Sequence, residues 1–123
     1  MEERDELTEQ IIGAAIEVHM VLGPGLLGSI YEEALAVELG LRGVVCQRQV
    51  EIDILYKGYL IRGQRIDMLV AGEVIVETKS VTKWPDVAVA QVLSYLKATR
   101  LQRGLLLNFG CPRMTDGIKR VSL

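Results

Sequence analysis

Half of the 123 residues are hydrophobic, mean hydropathy is +0.26 and aromatics make up 5%, so one modest core of Leu, Ile, Val and Ala is expected in a single domain, residues 1–123. The formal net charge of −2 excludes a uniformly basic nucleic-acid binder. No uninterrupted apolar stretch approaches the length that spans a membrane.

The polar start, Met1-Glu2-Glu3-Arg4-Asp5-Glu6, is not that of a signal peptide. A first helix is expected from Leu7 to Leu22, with Leu7, Ile11, Ile12, Ala15, Ile16, Val18, Met20 and Leu22 as a broad apolar stripe. Thr8, with Glu9-Gln10 behind it, is the expected start, and Gly23-Pro24-Gly25 the stop. A second helix should run from about Ser29 to Leu41 and end at Gly43. Ser29 is its expected N-cap, with Glu32-Glu33 in the first turn, where the helix dipole favours acids.

Gln49-Val50-Glu51-Ile52-Asp53-Ile54 alternates polar and apolar residues, the pattern of a half-buried strand. Tyr56-Lys57-Gly58-Tyr59 turns into a second strand that ends with Gln64-Arg65-Ile66-Asp67-Met68-Leu69-Val70. Ala71-Gly72-Glu73 has a turn composition, and Val74-Ile75-Val76-Glu77-Thr78-Lys79 returns as a third strand. Trp84-Pro85-Asp86 opens a third helix through about Thr99, with Val89, Val92, Leu93 and Leu96 on its buried stripe. Gly104-Leu105-Leu106-Leu107-Asn108-Phe109 is a continuous apolar run, as in a strand covered on both faces. The tail from Ile118 to Leu123 adds one short strand. The order ααβββαβ(β) defines an α/β (α+β) fold, a mixed central sheet flanked by helices.

Charge is unevenly distributed along the chain. Residues 1–56 hold three basic against eleven acidic residues, a balance of −8, whereas residues 57–123 hold eleven basic against five acidic, a balance of +6. The second part can present a basic surface around an acidic pocket, which suits a phosphodiester substrate. Equally, the two parts can neutralise one another across an interface. Cys46 and Cys111 have no metal-ligand spacing and read as free thiols of a reducing cytoplasm, while a disulfide between them stays open.

The densest chemistry lies on the hairpin. Side chains alternate along a strand, so Glu77 and Lys79 point one way and Thr78 the other. If Asp67 reaches that face, two carboxylates and an ammonium converge. A divalent cation explains such a cluster, since Mg²⁺ favours a few carboxylate oxygens, a carbonyl and retained water. An ordinary cross-strand ion pair on a solvent face has the same spacing, and spacing alone leaves both open.

Nearly the whole chain carries a further pattern: Val18-His19; Leu22-Gly23-Pro24-Gly25-Leu26-Leu27-Gly28-Ser29-Ile30-Tyr31-Glu32-Glu33-Ala34-Leu35; Arg48-Gln49-Val50; Asp67; Val74 to Lys79; Ala90-Gln91-Val92-Leu93-Ser94-Tyr95-Leu96; and Gly104 to Gly110. With the acid on the second strand and Glu-x-Lys on the third, it resembles the PD-(D/E)XK nuclease superfamily. More closely it resembles the small bacterial GxxExxY proteins assigned to that superfamily. The resemblance implies a restriction-endonuclease-like core and a Mg²⁺- or Mn²⁺-dependent deoxyribonuclease that hydrolyses phosphodiesters in DNA rather than RNA, in repair or recombination. Double-strand chemistry would then take a homodimer.

By the same resemblance, Asp67 and Glu77 hold the metal through their side chains and Thr78 through its backbone carbonyl. Lys79 sits beside the attacking water or a phosphate oxygen. The neighbouring carboxylates favour its charged form, so an electrostatic role suits it better than that of general base. Gln91 and Tyr95, four apart on one helix face, orient water or phosphate and contact substrate respectively. Glu32 and His19 are candidate additional metal ligands, and Tyr31, Lys83 and Lys97 candidate substrate contacts, with Arg100, Arg103 and Lys119 as further phosphate contacts. A packed His19 and a core-anchoring Trp84 are the expectations from residue type alone. One departure stands out. Gly28 occupies the glutamate position of the naming motif, and Glu32 lies one helical turn beyond it. A catalytically impaired binding module of the same fold is therefore the alternative.

Overall fold

The computed structural model describes residues 5–123, and the polar start over residues 1–4 lies outside it. Helix α1 spans Glu6–Leu22 and is capped by Asp5, one turn ahead of the expected Thr8. Asp5 accepts the backbone N–H of Thr8 at 3.1 Å and its hydroxyl at 2.6 Å, and pairs with Arg103. Thr8 is thus the cap's partner, and the side-chain cap is worth about 1 kcal/mol. Helix α2 spans Gly28–Leu41 and also begins earlier than expected. Leu27, in extended conformation, closes the first turn with its carbonyl, which accepts the Ile30 N–H at 3.0 Å. No side chain caps it, so Ser29 is not the N-cap and Glu32-Glu33 fall beyond the first turn.

Strand β1 (Cys46–Tyr56) pairs antiparallel with β2 (Tyr59–Val70), and β2 with β3 (Val74–Lys79). Helix α3 (Ala88–Thr99) carries the chain over to β4 (Arg103–Asn108), parallel to β3, as a parallel pair requires. A short 3-10 turn (Met114–Gly117) leads into β5 (Ile118–Ser122), antiparallel to β4. The strands lie in sequence order, β1-β2-β3-β4-β5. Helix α3 starts later than Trp84-Pro85-Asp86 because Pro85 to Ala88 form a turn closed by the Ala88 N–H on the Pro85 carbonyl. Its buried stripe is accordingly Ala88, Val92, Tyr95 and Leu96, and Val89 faces outward.

Helices α1 and α2 cover one face of the sheet, packing Ile11, Ala15, Leu35 and Leu39 against Met68, Val76, Leu105 and Leu107. Helix α3 covers the other, packing Val92 and Leu96 against Ile75 and Leu106. A Cβ on Gly104 would lie 2.5 Å from a Val92 methyl, so glycine there sets how closely α3 approaches β4. Both long strands change face at one level. Cys46, Met68 and Val70 pack beneath α1 and α2, whereas Val50, Ile52 and Ile66 pack beneath α3. The change falls at Gln49, whose φ is +51°, and at Asp67, which are left unpaired between the Arg48–Met68 and Val50–Ile66 pairs of the β1–β2 ladder. No described helix is long and apolar enough to cross a membrane.

Candidate active site

The β2–β3 ladder runs through Val70–Val74, Leu69–Ile75 and Met68–Val76, and stops there. One residue further, side chains replace ladder bonds. The Asp67 N–H donates to Glu77 Oε1 at 2.9 Å, and the Thr78 N–H donates to Asp67 Oδ2 at 2.9 Å. The Thr78 hydroxyl adds a bond to the same oxygen at 3.1 Å. The local face change at Asp67 thus opens a gap between two strands, and two carboxylates fill it. The Lys79 carbonyl accepts the Phe109 N–H across the other edge of β3. Alternation turns the backbone of Thr78 the opposite way, so its carbonyl lies on the side of the gap.

Glu77 is 3% exposed. Burial, with the neighbouring Asp67 charge adding to it, pushes its carboxyl up to about 7, against the pull of the Asp67 N–H and Lys79. Lys79 is held from α3, where its ammonium donates to Gln91 Oε1 at 3.4 Å. One turn along, the Tyr95 hydroxyl accepts from Gln64 Nε2 at 2.7 Å, which ties α3 to β2. Burial and the charge of Glu77 raise the Tyr95 hydroxyl above its ordinary range.

The donor set suits a hard divalent ion: two carboxylates within reach of one another and a peptide carbonyl beside them. Among the described residues no group of three or more His, Cys, Asp and Glu gathers to hold a metal. Two carboxylates completed by a carbonyl and water match the sparse protein coordination that Mg²⁺ accepts. An ion here would also offset the repulsion that raises Glu77.

The other sequence-flagged residues divide. Glu32 is buried, but both its oxygens are engaged: Oε2 by Arg48 at 2.9 to 3.0 Å and Oε1 by Gln49 Nε2 at 2.9 Å. Gln49 Nε2 also reaches Asp67 Oδ1 at 3.5 Å, so it bridges α2 to the carboxylate pair. His19 is buried on α1 with Nε2 on the Cys111 carbonyl at 2.8 Å, and no hydrogen bond joins it to Asp67 or Glu77. Tyr31 is fully buried, its ring stacked on Phe109 with centroids 4.7 Å apart. Its hydroxyl donates to the Gly23 carbonyl and accepts the Leu26 N–H, which pins the turn before α2. Gly23 and Gly25 permit that turn, with φ of +68° and +108°. Ser80 donates to the Leu26 carbonyl at 2.6 Å, so the turn is fastened just past Lys79.

Lys83, Lys97 and Arg100 are exposed, whereas Arg103 pairs with Asp5 and lies 3.7 Å from Glu73. Lys119 covers the ring of Trp84, which packs against the α3 core. Both cysteines are free. Three supporting residues were given no role from the sequence: Gln49, Gln64 and Asn108. Asn108 binds both the N–H and the carbonyl of Val81 at 3.0 Å and so fixes the segment after Lys79. A polar residue inside a buried apolar run must find partners, and that was its available signal.

No curated protein and no solved structure matches the chain. The family model of the PD-(D/E)XK nuclease superfamily matches residues 5–121, and the three helices and mixed five-stranded sheet fit that superfamily's restriction-endonuclease-like core. On that match the chain belongs to the PD-(D/E)XK nuclease superfamily.

Proposed function

We propose that this chain, as one domain, is a Mg²⁺- or Mn²⁺-dependent deoxyribonuclease of the cytoplasm, acting on DNA in repair or recombination. The observation that carries the reading is the convergence of Asp67, Glu77 and the Thr78 backbone in the opened β2–β3 gap, with Lys79 held beside them by Gln91. Asp67 and Glu77 would hold the metal with the Thr78 carbonyl. When bound, the ion polarises the scissile phosphate and lowers the pKa of a coordinated water. Lys79 neutralises charge developing on the phosphate, Gln91 fixes the ammonium in place, and Tyr95, tied to Gln64 on β2, contacts substrate. Lys83 and Lys97 contact the flanking phosphates. Tyr31, fully buried with its hydroxyl engaged, is not placed to contact substrate and instead pins the turn before α2. His19 and Glu32 would join the metal only by exchanging their present bonds. A single site cuts one strand, so cleavage of both strands of a duplex takes a homodimer.

Gly28 and the occupied carboxylate of Glu32 favour a second reading, a nucleic-acid-binding module that has lost turnover. Cleavage assays with Mn²⁺ and Mg²⁺ on single-stranded DNA, duplex DNA and RNA separate the two. Metal-dependent cleavage that Lys79→Ala abolishes supports the nuclease. Cleavage equal in wild type and Lys79→Ala removes the assigned site, and salt-sensitive binding without turnover supports the module.

A further inference from the structure

Helix α1 buries one apolar stripe against the sheet, through Ile11, Ala14, Ala15 and Val18. Its last turn carries two more apolar residues, Val21 and Leu22, that stay exposed. Helix α2 repeats the arrangement: Leu35 and Leu39 pack on the sheet, while Ile30 and Val37 are exposed. A surface helix ordinarily carries polar residues on that side. The placement is ordered. Val18, Val21 and Leu22 on α1, and Ile30, Ala34 and Val37 on α2, recur at helical spacing, and the two stripes line one groove between the helices. Along it Val21, Leu22, Ile30 and Val37 are 38% to 71% exposed. Ile30 and Val37 lie two helical turns apart, about 10 Å along α2. Single exposed apolar residues need no explanation, whereas a contiguous groove rimmed by polar groups marks an interaction surface.

Charge selects the occupant. The groove is lined by acids without a base: Glu17 on α1, and Glu33 and Glu38 on α2. Glu38 is offset by Arg42 at 2.8 Å. Glu33 is not offset in that way, because Arg48, 3.9 Å from it, already pairs with the buried Glu32 at 2.9 Å. Glu17 joins none of the ion pairs of the described residues. Each wall therefore keeps a negative charge, which repels a phosphate backbone and an anionic lipid surface. A second copy set groove to groove would bring acids against acids. A helix with apolar residues at i, i+3 or i+4, and i+7 fills a trough two turns long, and cations flanking that stripe meet Glu17 and Glu33.

We propose that the α1–α2 groove docks a basic amphipathic helix of a partner protein, its apolar stripe on Val21, Ile30 and Val37 and its cations on Glu17 and Glu33. None of these residues takes part in the carboxylate site, so the surface stands whether or not the chain cuts DNA. Fluorescence anisotropy of a labelled amphipathic Leu/Lys peptide, about 18 residues so that it forms a helix, tests it by titration with the full chain. The peptide should bind with a Kd below about 100 µM, and about tenfold tighter than a peptide of the same composition whose order destroys the stripe. Val37→Lys and Glu17→Lys change exposed side chains, so each should weaken binding about tenfold at an unchanged thermal midpoint. Val87→Lys, exposed ahead of α3, should leave binding intact. No binding up to about 100 µM overturns the proposal. So does equal affinity for the reordered peptide, or binding that survives both Val37→Lys and Glu17→Lys. A wild-type dimer that Val37→Lys dissociates would give the groove to a second copy instead.

Discussion

Glu77→Gln should stabilise the metal-free protein at pH 8 and leave it nearly unchanged at pH 4. The amide keeps an acceptor for the Asp67 N–H, which lies 2.9 Å from Glu77 Oε1, and removes only the buried charge. Unfolded, Glu77 titrates at its ordinary 4.5, and folded at about 7. Between those values the folded protein binds more protons, so stability is full below 4.5 and is lost as pH rises through 7. A shift of that size corresponds to about 3 kcal/mol, since each pKa unit is about 1.4 kcal/mol. Urea unfolding in chelator, at pH 4, 6 and 8, measures it. At a slope of about 1.5 kcal/mol/M the variant's midpoint should exceed wild type by roughly 2 M at pH 8. Equal midpoints at pH 8 would show that Glu77 is not strained by burial and by Asp67.

Three further outcomes follow from particular contacts. Arg48→Ala leaves the buried Glu32 carboxylate with Gln49 alone and should cost about 2 kcal/mol, discounted for the exposed end of Arg48. Adding Glu32→Gln should recover most of that in the same urea assay, and no recovery would mean that Arg48 acts otherwise. Tyr31→Phe keeps the stack on Phe109 but strands the Gly23 carbonyl and the Leu26 N–H, at about 1–3 kcal/mol. A change below about 0.5 kcal/mol would separate the turn from the hydroxyl. Gln49→Ala inherits the same left-handed backbone but strands the buried Glu32 Oε1, so it should cost about 1–3 kcal/mol, while Mn²⁺ affinity falls about tenfold as Asp67 loses its orienting partner. Unaltered affinity would show that Asp67 needs no such support.

The sequence carried the element order because each element has a clean period. Residues 49–54 alternate, Leu7 to Leu22 repeats at helical spacing, and residues 104–109 are apolar but for Asn108, as a strand between two helical layers should be. Helix starts were less legible where capping chemistry competed. Asp5 and Thr8 are both good caps, and only the folded chain shows that one caps the other. At α2 a backbone carbonyl does the work, and residue type cannot report that. Asp67, Glu77 and Lys79 stood out because their spacing on one hairpin is local, and Gln91 through the family resemblance. The support of Asp67 did not. Gln49 takes a left-handed backbone that nothing in an alternating polar-apolar run foretells, and Glu32 meets Arg48 across sixteen residues of chain.

Titration calorimetry of Mn²⁺ into wild type and into Asp67→Ala/Glu77→Ala tests the metal centre most directly. Wild type should take up one ion, with affinity falling as pH drops below 7 and protons compete for Glu77, and the double variant should take up none. Equal uptake by both proteins, or no uptake by wild type, would contradict a metal site in the β2–β3 gap.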